Sequence, residues 1–295
     1  MRRLSFCPPL NVWYDTGDWR VDIMNYKRLI KVLPFFLFLG ACQNEQAPTA
    51  EQEGTNEEIV EHVDEEKAET EEIEEVEEIE YLYEINPETF SVMSINEESD
   101  EKLALLTFDD APYGNSLEIA DTLEANDLSA IFFVNGMYME DEEGFEVIQE
   151  LHERGFEIGN HTHTHLNLGE QSEEVQKEEI MKTNEIIEEA IGESPRFFRA
   201  PHGVMTDYTK SLLEELEMTW MNWSFGYDWV SEYQDADALT EITLNSPYLS
   251  NGANILMHDR EWTAEAVPAI IDGLDEQGYQ MVDPKLIVNP AAKNE

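Results

Sequence analysis

Between residues 103 and 282, short apolar runs of strand type alternate with longer amphipathic stretches of helical type. The strand candidates are 103–107, 130–135, 157–159, 197–199, 218–223, 255–258 and 279–282. The helical candidates are 116–125, 143–154, 172–191, 206–216 and 263–277, and Gly155 and Gly278 stand just past helix ends, as C-terminal caps do. A strand, a helix and another strand in repeated succession require crossover connections, and hence a parallel sheet. About seven such units predict an α/β fold, a distorted or incomplete (β/α) barrel. A doubly wound open sheet is the alternative. No internal repeat is evident.

Reactive side chains stand at the ends of these runs, where an α/β barrel places its catalytic groups. Asp109 and Asp110 follow the first run. Such a pair also serves as a helix cap or turn, and the Ala-Pro-Tyr-Gly-Asn segment behind it suits that role. His161, His163 and His165 follow the third run. One helical turn would bring His161 and His165 to one face and leave His163 aside. Two histidines and a carboxylate can hold one metal ion with a position left open for water. A second carboxylate next to it can act as a base. Arg199 ends a buried run, where a guanidinium needs a carboxylate to meet. Asp228-Trp229 lies close to Trp220, Trp223 and Phe225, aromatic rings that suit either a core or a sugar platform. His258 ends the sixth run as a structural histidine, or as a general acid if a carboxylate such as Asp228 raises its pKa.

Taken in order, these clusters resemble the five motifs of the polysaccharide deacetylases (carbohydrate esterase family 4, the NodB homology domain), from about Leu103 to Val282. The resemblance implies removal of acetyl groups from N-acetylglucosamine-containing polysaccharide, peptidoglycan or chitooligosaccharide, or of O-acetyl groups from xylan. It implies a divalent metal, usually zinc with cobalt or nickel as alternatives, on Asp110, His161 and His165. Asp109 would be the base that activates water there, oriented by Arg199. His258 would protonate the leaving amine, tuned by Asp228. Trp229 and Leu256 would line the acetyl-methyl pocket, and the His202 backbone N–H would help to stabilise the oxyanion. Ala111 replaces the family's usual Gly, and Phe225 stands where the fourth motif often has an Asp. A non-catalytic, metal-retaining sugar-binding module is a competing reading. It has no use for a base, an orienting Arg or an acid. An iron site of two histidines and one carboxylate fits less well, given the second Asp and the α/β alternation.

The chain has 66 Asp and Glu against 17 Lys and Arg, a net charge of −49. That balance excludes nucleic acid as a partner, since phosphate contacts need cations. Residues 101–295 hold 41 of the acidic side chains, so the charge is not confined to one tail. The only cysteines, Cys7 and Cys42, lie outside the catalytic stretch and exclude a Cys nucleophile there. From Met24, the expected translation start, Lys27, Arg28 and Lys31 precede an apolar run that ends in Leu39-Gly40-Ala41-Cys42. The run is too short to span a bilayer but suits a signal peptide, and its end resembles a bacterial lipobox. The expected organisation is an upstream extension over 1–23, a lipoprotein signal over 24–41, and a lipidated Cys42. An acidic, largely disordered linker over 42–100 and a catalytic domain over 101–290 follow. The protein is then held on the outer face of the cell membrane by its lipid anchor alone, with a polysaccharide as its partner.

Overall fold

A computed structural model of the chain describes residues 80–96 and 101–289. The segment expected to be a lipoprotein signal, Cys42 and most of the acidic stretch lie outside the described residues. The folded part opens with an antiparallel hairpin of β1 (Tyr83–Ile85) and β2 (Val92–Ser94). The strands β3 (Lys102–Ala111), β4 (Ile131–Val134), β5 (Glu157–Asn160), β6 (Phe197–Phe198) and β7 (Thr219–Trp220) follow. Helices α1 (Ser116–Ala125), α2 (Glu142–Glu153), α3 (Glu173–Ile191) and α4 (Asp207–Glu215) separate them. Then come β8 (Phe225–Gly226), α5 (Ala236–Leu244), β9 (Ala253–His258), α6 (Glu261–Glu276) and β10 (Tyr279–Met281).

Strands run in the order β7-β6-β5-β4-β3-β9-β8, with β10 paired to the first residues of β3. Every pairing in this sheet is parallel. The sheet curls into the expected distorted barrel, and β7 and β8 do not pair with each other among the described residues. Residues 221–224 cross that seam without a helix.

Both faces of the sheet are buried, so its strands read as continuous apolar runs. Alternation still sorts the side chains. Ala104, Leu106, Phe108, Phe132 and Val134 face outward and pack with Ile119, Leu123, Ile148, Ile187, Val267 and Ile271 of the helices. Leu103, Leu105, Ile131, Phe133, Phe197 and Met221 face inward and fill one end of the barrel, with Tyr83 and Val92 of the hairpin packed against them. Full burial of such side chains contributes about 1.5–3 kcal/mol each. Gly159 makes room for this plug, since a Cβ there would come within 2.6 Å of Phe133 Cδ1. Further along the same inward faces the residues change to Thr107 and Asp109 on β3, Arg199 just past β6, and Asn254 and His258 on β9.

Several elements depart from the sequence expectation. The β1–β2 hairpin falls inside the segment expected to be linker, so the fold begins before residue 100. Each of its strands is three residues long and buries only Tyr83 or Val92, which leaves no periodicity to read. Helix α5 is not among the expected helices, although Asp235 caps the Ala238 N–H at 3.1 Å and Leu239 and Thr243 are buried four apart. The sheet also gains β8, two residues long, and β7 is shorter than the run 218–223.

Candidate active site

Asp109 and Asp110 occupy successive positions, which in a regular strand would point to opposite faces. The register of β3 to β4 shifts between Phe108 and Ala111, and Asp110 adopts φ +63°. This bulge re-aims the second carboxylate. Both acids then face one imidazole: His161 Nε2 lies 3.6 Å from Asp109 Oδ2 and 3.9 Å from Asp110 Oδ1.

His161 follows β5, and its N–H donates to the Val134 carbonyl at 2.9 Å. The helical turn expected for His161 and His165 is not present. Instead an irregular loop with left-handed Thr162 (φ +66°) and His165 (φ +58°) brings the two rings to 5.0 Å. Buried polar groups hold this loop. Asn160 Oδ1 accepts from the Thr162 N–H at 2.7 Å, and Glu179 accepts from the N–H and hydroxyl of Thr164 at 2.7 and 2.6 Å. His163 turns away, with Nε2 3.1 Å from Glu140 Oε1 and 2.6 Å from Lys182 Nζ. His165 Nε2 lies 3.6 Å from Asp110 Oδ1.

Asp110, His161 and His165 therefore offer three ligand atoms within 4.8 Å of one another. Their protonation suits a metal ion. His161 Nδ1 is 2.7 Å from the Arg199 carbonyl oxygen. A carbonyl only accepts, so Nδ1 donates there and Nε2 is the nitrogen turned toward the site. Burial, and next the neighbouring His161, push the His165 pKa down to about 3. Burial would raise the Asp110 pKa, but His161, His258, His165 and Arg260 together hold it below the usual carboxylate range. Two imidazole nitrogens and one carboxylate match a divalent ion such as zinc with open coordination.

Asp109 and His258 are partners in the β3–β9 register, and so stand side by side on the inward face. Arg199 reaches Asp109 from below. Its Nη1 donates to Thr107 Oγ1 at 2.8 Å and to Asp109 Oδ1 at 2.7 Å, and its guanidinium lies 4.3 Å from the Phe133 ring centroid. Asp228 is fully buried and holds His258 twice, through the backbone N–H and through Nδ1 at 2.8 Å from Oδ1. Thr263 Oγ1 also donates to Asp228, at 2.8 Å. Burial would lower the His258 pKa. The Asp228 charge and hydrogen bond, with Asp109 and Asp110 behind them, raise it to about 9.

Around this centre Trp229 is 40% exposed and packs edge-on against His258, with centroids 5.5 Å apart. Leu256 is buried beneath it on the inward face of β9. Gly226 lets the two approach, since a Cβ there would meet Trp229 Cζ3 at 2.7 Å and Leu256 Cβ at 3.0 Å. His202 has φ +58°, and its ring lies 4.9 Å from that of His165. Phe225 is buried in the outer core and takes no part in the site.

Three neighbours were not singled out in the sequence. Arg260 Nη2 donates to Asp110 Oδ2 at 2.7 Å, leaving Oδ1 to face the histidines. Asp259 is fully buried and accepts from the N–H groups of Tyr113, Gly114 and Asn115 and from Ser116 Oγ, which fixes the loop after the bulge. Asn254 Oδ1 accepts from Arg199 Nη2, and its Nδ2 donates to the Asn222 carbonyl, both at 3.1 Å. The first two directly follow His258, and Asn254 is a polar residue inside an apolar run. Position after a strand and polarity within one were the available signals.

Residues 96–221 match the family model described as "Polysaccharide deacetylase". The chain is 31% identical over 199 residues to the peptidoglycan-N-acetylglucosamine deacetylase PgdA of Listeria monocytogenes, a match that covers 66% of this chain and 41% of that protein. Among solved structures, the fold resembles the peptidoglycan deacetylase PdaC of Bacillus subtilis with a TM-score of 0.56 and 30% identity, over 63% of this chain and 90% of that one. It also resembles a CE4 family pseudoenzyme from Bacillus anthracis with a TM-score of 0.56 and 29% identity, over 62% of this chain and 63% of that one. Sequence identity sustained over nearly all of the PdaC chain, together with the shared fold, places this chain in the polysaccharide deacetylase family.

Proposed function

We propose that this protein is a zinc-dependent de-N-acetylase of N-acetylglucosamine-containing polysaccharide, peptidoglycan or chitooligosaccharide, working on the outer face of the cell membrane. The observation that carries the reading is the in-register pair of Asp109 and His258, each bound to its own buried partner of opposite charge and both beside the ligand set. A divalent ion on Asp110, His161 and His165 would supply Lewis acidity, polarising the acetyl carbonyl and acidifying water.

Asp109 Oδ1 is taken up by Arg199, so Oδ2 is the oxygen turned toward the ligand set and the one placed to accept a proton from the attacking water. Water adds to the acetyl carbon, and the His202 N–H is assigned to the oxyanion that forms. The carbon–nitrogen bond then breaks. His258, whose Nδ1 is fixed by Asp228, donates from Nε2 to the departing nitrogen. Acetate and a free amine are the products. Trp229 and Leu256 bound the space for the acetyl methyl group.

Likeness of fold does not separate an enzyme from a binding module, because a CE4 pseudoenzyme has the same fold. Retention of Asp109, Arg199, Asp228 and His258 in working contact favours turnover. The N-terminal charge and apolar pattern with Cys42 support the lipid anchor, and no helix among the described residues is long and apolar enough to cross a membrane. The test is acetate release from chitooligosaccharides, peptidoglycan and acetylxylan by chelator-treated protein, with and without added zinc. Release from the N-acetylated substrates that depends on zinc is expected. Release from acetylxylan alone would make the protein an esterase, and no release from any of them would leave the binding module.

A further inference from the structure

Asn254 is the second residue of β9 and lies on the inward face, where the barrel is otherwise apolar at its closed end. It is fully buried, and every hydrogen-bonding atom of its amide is used. Nδ2 donates to the Asn222 carbonyl and to the Phe90 carbonyl, both at 3.1 Å. Oδ1 accepts from Arg199 Nη2 at 3.1 Å, and Arg199 Nη2 also donates to the Asn222 carbonyl at 3.0 Å. Two carbonyls on one side and a guanidinium on the other fix which way the amide points. With Thr107 and Asp109 on Nη1, all four Nη protons of Arg199 have acceptors.

Two of these acceptors come from unusual backbone. Asn222 lies in the helix-free seam between β7 and β8. Phe90 ends the turn of the β1–β2 hairpin with φ +58°, a conformation that a bulky side chain rarely adopts and that the surroundings must hold in place. Its N–H donates to the Asn86 carbonyl at 2.9 Å, and its ring packs against Trp220. Neither the hairpin strands nor Asn254 lies within the residues matched by the family model.

We propose that Asn254 is a positioning residue: its amide ties the N-terminal hairpin and the 221–224 seam to Arg199, and thereby fixes Arg199 against Asp109. The chain of contact runs from Phe90 O through the Asn254 amide to Arg199 Nη2, and from Nη1 to Asp109 Oδ1. Without the amide, Arg199 Nη2 loses one acceptor and the Asn222 and Phe90 carbonyls lose a donor, so the guanidinium is free to follow the seam instead of the base. The catalytic half of this inference rests on the deacetylase reading. The geometric half does not.

The test uses the full chain carrying Asn254→Leu, which keeps the γ-branched shape and removes the amide. A crystal structure of this variant should show Arg199 Nη1 displaced from Asp109. With the zinc-loaded protein, kcat should fall about tenfold and KM should stay unchanged, the scale expected of a misplaced catalytic group. In an Arg199→Lys background the further loss should vanish, because the two residues act in one chain. Equal losses in both backgrounds, or an Arg199–Asp109 contact still at its wild-type position, would overturn the proposal. If the leucine variant does not fold, Asn254→Ser serves in its place, since its hydroxyl is too short to bridge Phe90 and Arg199. A wild type without activity would count against the deacetylase reading, and the crystal structure would still decide the positioning role.

Discussion

Replacing Asp228 by Asn should move the alkaline limit of activity rather than lower activity evenly. In the wild type the Asp228 charge outweighs burial and brings the His258 pKa to about 9. Asparagine keeps the volume and one acceptor, which satisfies the His258 backbone N–H and Thr263. It also turns an N–H toward Nδ1 and removes the charge. Burial is then opposed only by the Asp109 and Asp110 charges, and the pKa falls toward the ordinary value of about 6.5. At pH 8 a group with a pKa of about 9 is about nine-tenths protonated, and one at about 6.5 is about 3% protonated. The acid form therefore drops about 30-fold at pH 8, but only by about a quarter at pH 6. The assay is kcat/KM for acetate release between pH 5.5 and 9.5, with zinc content measured at each pH. A loss of equal size at pH 6 and pH 8, with the alkaline limb unmoved, would refute the role given to Asp228. The same pair affects folding. A raised histidine pKa adds stability that is fully present below the unfolded value of about 6.5 and is lost as pH rises through about 9. Chemical denaturation should show that loss in the wild type and not in Asp228→Asn.

His161→Ala and His165→Ala should each abolish metal retention, whereas His163→Ala, whose ring is held by Glu140 and Lys182, should keep it; stoichiometric zinc in dialysed His161→Ala, read by elemental analysis, would sink the assignment. Gly159→Ala should cost about 1–3 kcal/mol by overpacking Phe133, seen as a lower denaturant midpoint at unchanged slope, and an unshifted midpoint would show that the barrel interior yields. Cys42→Ala should release the protein to the medium or leave an uncleaved precursor, and a mature N-terminus upstream of Cys42 by mass spectrometry would count against lipidation.

What was legible in the sequence was what short-range pattern encodes. Short apolar runs and helical periodicity, with caps such as Gly155, marked most strands and helices, and their alternation dictated a parallel, barrel-like sheet. The order of Asp109, Asp110, His161, His165, Arg199, Asp228 and His258 along the chain suggested a metal hydrolase, because each follows a strand and strand ends meet at one rim. Tertiary structure decided the rest. Strand alternation alone would have parted Asp109 from Asp110, and only the bulge at Asp110 joins them. The spacing of His161 and His165 suggested a helix, but the loop between them is shaped by the Asn160 side chain and by Glu179, which reaches it from α3. Asn254 and Arg260 gave little local signal because each meets a partner far along the chain, Asn254 at Phe90 and Arg260 at Asp110. Local propensity records what a residue does with its near neighbours. A site assembled across a barrel mouth depends on register and on packed interior layers, which come into being only when the sheet curls.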